Sequence, residues 1–81
     1  MPRAGERYEH KGIILEIVEV MPYRLLTGRR AFLIAYRIID GSFISPVAHF
    51  YYLHGMKMKD IVVKVMENYL QVKNTLLRGV R

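Results

Sequence analysis

Residues 13–21, 31–39 and 43–53 have the β-branched and aromatic content of strands, yet none of them alternates cleanly between apolar and polar positions. In the second stretch Phe32, Ile34, Tyr36 and Ile38 fall on one side. Ala31, Leu33, Ala35 and Ile39 fall on the other, and only Arg37 interrupts that row. A sheet with one wet face carries a polar residue at every other position. This pattern therefore predicts a sheet that needs cover on both faces. Under simple alternation the first stretch places Ile13, Leu15, Ile17 and Met21 on one side and Ile14, Val18 and Val20 on the other, with Glu16 and Glu19 on opposite faces.

The breaks between these stretches are marked by residues with specific backbone needs. Proline cannot donate to a ladder, so Met21-Pro22-Tyr23 ends the first strand. Thr27-Gly28-Arg29 is the expected turn back, with the second strand starting near Arg30. Asp40-Gly41, between two apolar runs, is the clearest hairpin signal. A two-residue turn there would pair Ile39 with Ser42 and put Pro46 opposite Ala35, where an N–H is required. Either the loop extends through Ser42, or the third strand breaks or bulges at Ser45-Pro46. Both outcomes put the third strand at an edge and the second in the centre.

Helical spacing begins at residue 58 and is expected to run to 77. Met58, Val62, Val65, Tyr69, Val72 and Leu76 form one apolar stripe, widened by Val63, Met66, Leu70 and Leu77. Asp60 lies in the first turn, where negative charge suits the helix dipole, and Arg78 and Gly79 mark the stop. The predicted fold is α+β: a three-stranded antiparallel meander, β-β-β-α, with the C-terminal amphipathic helix packed on one face. Residues 1–11, polar and carrying Pro2 and Gly5, are set apart as a flexible lead, and 12–81 as one domain.

One helix covers one face. Phe32, Ile34, Tyr36 and Ile38 are expected to meet it, leaving Ala31, Leu33, Ala35 and Ala48 on the other side as the candidate oligomer interface. Small residues allow a second backbone to approach closely, and a symmetric homodimer is the commonest way to cover such a face.

Composition adds charge to this picture. The 81 residues include thirteen Lys and Arg against seven Asp and Glu, a net charge of +6. Such a balance favours nucleic acid or another acidic partner. The concentration without neighbouring acids is Arg24, Arg29, Arg30 and Arg37. There is no cysteine, which excludes disulfides, thiolate metal sites and a cysteine nucleophile and is compatible with a reducing cytoplasm. Scarce Asn and Gln beside abundant Arg and Lys fit part of the thermophile pattern. No apolar run approaches the ~20 residues of a membrane span. The N-terminus lacks the apolar stretch of a signal peptide.

Catalytic groups do not converge. His49 and His54 match no zinc spacing, and Ser42 and Ser45 have no base beside them. Glu16 and Glu19 project apart, and Thr27-Gly28-Arg29-Arg30 lacks the context of a phosphate loop. No cofactor or metal is expected, and the chain is read as non-enzymatic. The aromatics Tyr36, Phe43, Phe50, Tyr51 and Tyr52 alternate faces among apolar neighbours, unlike a basic stacking platform. The reading is a small homodimeric protein that binds nucleic acid, DNA in the first instance, through the arginines at 24, 29, 30 and 37. The alternative is a structural or adaptor protein whose apolar sheet face meets another protein.

Overall fold

A computed structural model describes residues 2–79, with the side chain of Arg78 outside that description. The protein is α+β, an antiparallel sheet with one C-terminal helix. The strands are β1 (Arg7–His10), β2 (Ile13–Arg24), β3 (Arg30–Asp40), β4 (Phe43–Ile44) and β5 (Ala48–Tyr52), and the helix is α1 (Met58–Gly79). β1 pairs with β2 and β2 with β3, while β4 and β5 follow one another along the far edge of β3.

There are five strands against the expected three because the polar lead joins the sheet as β1 and the third stretch divides into β4 and β5. His10 faces Ile13 across the turn Lys11-Gly12, where both residues have positive φ (52° and 78°), the type I′ geometry that matches strand twist. The Gly5 N–H donates to the Ile17 carbonyl, and the Ile17 N–H donates to that of Glu6, so the ladder continues past β1.

The far edge is broken where Pro46 demanded it. Asp40 pairs with Phe43, so the two-residue turn is Gly41-Ser42, one position later than Asp40-Gly41. Only Gly41 has positive φ there (61°), the type II′ pattern. Ile39 pairs with Ile44 but Tyr36 with Ala48, so residues 45–47 insert one extra position against β3. Ser45 repairs the ladder: its N–H donates to the Ile38 carbonyl at 2.9 Å, and its Oγ accepts the Ile38 N–H at 2.8 Å. A second bulge sits in β2, where Ile17 pairs with Tyr36 but Glu19 with Ala35. Val18 is the surplus residue.

These bulges reassign faces. Ile13, Leu15 and Ile17 share the helix side with Val20 rather than Met21, and Phe32, Ile34, Tyr36 and Ile38 meet them there. The helix contributes Val62 and Met66 to this core, with Met58, Val65, Tyr69 and Leu70 packed around it. Glu16 and Glu19, expected on opposite faces, both lie on the outer side, opposite Arg37 and Ala35. Ala48, assigned to the outer face, pairs with Tyr36 and so belongs to the helix side. Tyr69 and Lys73 tie the helix to the β3–β4 turn through Asp40 Oδ2, at 2.8 and 2.7 Å. The helix extends through Gly79, two residues past the expected end, and Arg81 lies outside the described residues.

The molecule is elongated, 48 × 25 × 20 Å, with a radius of gyration of 14.0 Å. A compact chain of this length has about 12 Å. Part of the excess is the β2–β3 hairpin. β5 ends opposite Phe32, so beyond that point β2 and β3 continue as a two-stranded ribbon that no third strand supports.

Candidate nucleic-acid interface

The ribbon ends in a tight loop. Tyr23 pairs with Ala31 and Arg24 with Arg30, after which residues 25–29 turn the chain. The Gly28 N–H donates to the Leu25 carbonyl at 2.8 Å, and the Leu25 N–H donates to the Arg29 carbonyl at 2.9 Å. With Gly28 at φ 85° this is a type I turn closed by a glycine bulge, a common three-residue hairpin loop. Thr27 Oγ1 accepts the Arg29 N–H at 3.4 Å. The loop thus has a defined shape, carried about 10 Å beyond the last three-stranded row at ~3.3 Å per residue.

The four arginines named from the sequence do not form one patch. Arg24, Arg29 and Arg30 are exposed at the ribbon tip, and Arg24 and Arg30 line an open groove of about 430 Å³ with Pro22, Tyr23, Ala31 and Phe32. Arg37 lies seven positions along β3 from Arg30 and on the opposite face. Its Nε donates to Glu16 Oε1 at 2.7 Å, and Arg7 Nε donates to Oε2 of the same carboxylate at 2.8 Å. Arg37, then Arg7, hold the Glu16 carboxyl below the usual carboxylate range.

Ion pairs take up only some of the remaining basic residues, and among the described residues Arg3, Lys57, Lys59 and Lys64 stand in none. Lys11 and His10 meet Glu67, and Lys73 meets Asp40. Among the described residues no acid pairs with Arg24, Arg29 or Arg30. Arg24 and Arg30 moreover stand directly opposite one another, an arrangement of like charges that is unfavourable in a sheet. This pairing is set by the turn itself, since the bonds that close residues 25–29 leave Arg24 and Arg30 as the next pair down the ribbon.

The outer face carries the other candidate surface. Leu33 lies between Met21 and Tyr51 in the register, and the rings of Tyr23 and Tyr51 approach with centroids 5.3 Å apart. Val18, Tyr23 and Tyr51 remain exposed. Ala31 and Ala35 are already buried within the single chain, and Leu33 is half-buried. Among the described residues no group of His, Asp and Glu is arranged to hold a metal ion, and no helix is long and apolar enough to cross a membrane. The chain matches no protein-family model, and searches of curated proteins and of solved structures return no match.

Proposed function

We propose that this is a non-enzymatic nucleic-acid-binding protein that engages duplex DNA through the tip of the β2–β3 ribbon. The observation that carries the reading is the Arg24–Arg30 pair: like charges face each other, with Arg29 beside them and no acid to offset them. A phosphate backbone supplies the missing negative charge, and a two-stranded ribbon is a shape that a DNA groove admits. Arg37, bound to Glu16, is left out of the contact set. In a homodimer two such ribbons would act together.

The test is fluorescence anisotropy with random duplex DNA across a salt series. Three phosphate contacts per protomer correspond to a log–log salt slope of about −2.7, or roughly 40-fold weaker binding between about 50 and 200 mM salt. Changing Arg29 and Arg30 to alanine should lower the slope by about 1.8 and leave the fold intact. Unaltered binding in that variant would sink the tip as the contact.

The exposed outer face supports a second reading, in which an apolar sheet surface docks another protein and the charge serves solubility. Tight association that is indifferent to salt favours it.

A further inference from the structure

We propose that Leu26 is a wedge that enters between base pairs of duplex DNA from the minor groove and kinks it. The inference rests on the ribbon tip being the DNA contact, and adds what the contact does to the duplex.

Leu26 occupies the first central position of the type I turn and is fully exposed, more so than any other large apolar residue described. Turn positions of this kind accept most residues, and polar ones serve there without loss. Nothing in the fold calls for leucine: its neighbour Leu25 is half-buried, whereas Leu26 is absent from the core and from everything packed on it. The turn's hydrogen bonds at 2.8 and 2.9 Å hold the tip in one shape, so the side chain is presented rather than trailing. Gly28, at φ 85° with open space where a Cβ would be, leaves the other shoulder of the tip bare for close approach to sugar and phosphate.

The surroundings select the partner. Arg24 precedes Leu26 by two residues, and Arg29 and Arg30 follow it by three and four, on both strands of the ribbon. An apolar knob destined for a protein pocket is ordinarily ringed by apolar contacts, and this one is ringed by unpaired cations. A lipid surface also combines apolar and anionic chemistry, but a single leucine buries too little to anchor a protein there. Single-stranded nucleic acid calls for aromatic platforms; residues 25–29 of the tip hold none, and the nearest exposed ring, Tyr23, is engaged with Tyr51. Apolar side chains inserted at base steps, with basic residues gripping the flanking phosphates, are how architectural proteins kink DNA by about 20–90°. Pyrimidine–purine steps unstack most easily and are the expected site.

The experiment measures duplex end-to-end distance by energy transfer alongside anisotropy, for wild type, Leu26→Ala and Leu26→Phe, on duplexes with a central TA step or an A-tract. Wild type should shorten the TA duplex and prefer it over the A-tract. Leu26→Ala should keep the salt slope, since every arginine remains, while losing both the bend and the TA preference. Leu26→Phe should restore the bend. Circular dichroism confirms folding of each variant. DNA binding without bending, or bending that survives in Leu26→Ala, overturns the wedge and leaves the DNA reading standing. No binding by wild type at about 50 mM salt overturns both. Tighter binding to single strands than to duplex, or binding only to vesicles of phosphatidylcholine and phosphatidylserine, likewise ends the proposal.

Discussion

Arg37 and Glu16 occupy one register position across β2 and β3, and Arg37 Nε donates to Glu16 Oε1 at 2.7 Å while Arg7 holds the other carboxylate oxygen. This clamp joins β1, β2 and β3 on the outer face. It also removes from the free basic surface an arginine that charge counting alone had placed there.

Replacing Glu16 by Gln should therefore destabilise the fold, because two guanidinium groups would remain close together with no carboxylate between them. Thermal unfolding is the measure. The midpoint should fall further than in Arg7→Ala, which leaves the Arg37 contact in place. Equal midpoints for wild type and Glu16→Gln would show that the clamp contributes nothing.

Acid should unfold the protein through its carboxylates. Arg37 and Arg7 lower the Glu16 carboxyl, Lys73 and Tyr69 that of Asp40, and His10 and Lys11 that of Glu67. Each is more acidic folded than unfolded, so between the two values the unfolded chain binds more protons and stability rises with pH. The contribution is complete above the ordinary carboxylate range of about 3.9–4.3 and is lost as pH falls through the folded values. Unfolding midpoints scanned from about pH 6 to pH 2 should drop on the acid side. A flat profile would contradict the role given to these pairs.

Ser45→Ala removes the acceptor of the Ile38 N–H, which Pro46 and the bulge leave without a backbone partner from the edge strand. The expected cost is about 1 kcal/mol, read by denaturant unfolding. Ser45→Thr keeps an oxygen at that position and should lose less. Equal losses for the two would point to packing instead of the hydrogen bond.

The parts of this fold that were legible in the sequence are those set by periodicity and by the prohibition at Pro46. Pro22, expected to end the first strand, instead lies within β2 opposite Phe32, where β1 no longer pairs with β2 and no N–H is required. The stripe through Val62, Val65 and Tyr69 located the helix and its buried side, and Pro46 announced a broken edge strand. What escaped were single-residue insertions. Val18 and residues 45–47 each shift a register by one, and a shift of one exchanges the faces of every residue beyond it. That is why Met21 and Ala48 changed sides and why Glu16 met Arg37. β1 escaped for a different reason: Arg-Tyr-Glu-His is polar on both sides and carries no strand signature. Its trace was Lys11-Gly12, a turn dipeptide followed directly by the first apolar run. At the site, Arg24, Arg29 and Arg30 were visible as a charge concentration, but their confrontation across the ribbon needed the register.

Core and overhang should respond differently to truncation. Met66 is fully buried against Leu15, Ile17 and Ile34, and Met66→Ala should cost about 2–5 kcal/mol. Leu76, near the helix end, is mostly exposed beside Phe43, Tyr69 and Val72, and Leu76→Ala should stay within about 0.5 kcal/mol. A large loss at Leu76 would mean that this end of the helix is covered in the folded protein, by a second copy or another chain.

The outer sheet face yields the assembly test. The chain exposes 6140 Å², against about 5,000 Å² for a typical monomer of 9.5 kDa. Val18, Tyr23 and Tyr51 contribute to that excess on the face away from the helix. Ala35, though on the same face, is buried within the single chain, so a charge there would test folding before it tested association. Tyr51→Glu is the better probe, because the ring is half-exposed and its contact is with Tyr23 across β3. If this face is buried between two copies, light scattering should report a dimer for wild type and a monomer for Tyr51→Glu, with circular dichroism unchanged. A wild-type monomer would assign the face to a different protein or to solvent, and a dimer that survives the substitution would move the contact elsewhere, with the bare helix end around Leu76 as the next surface to charge.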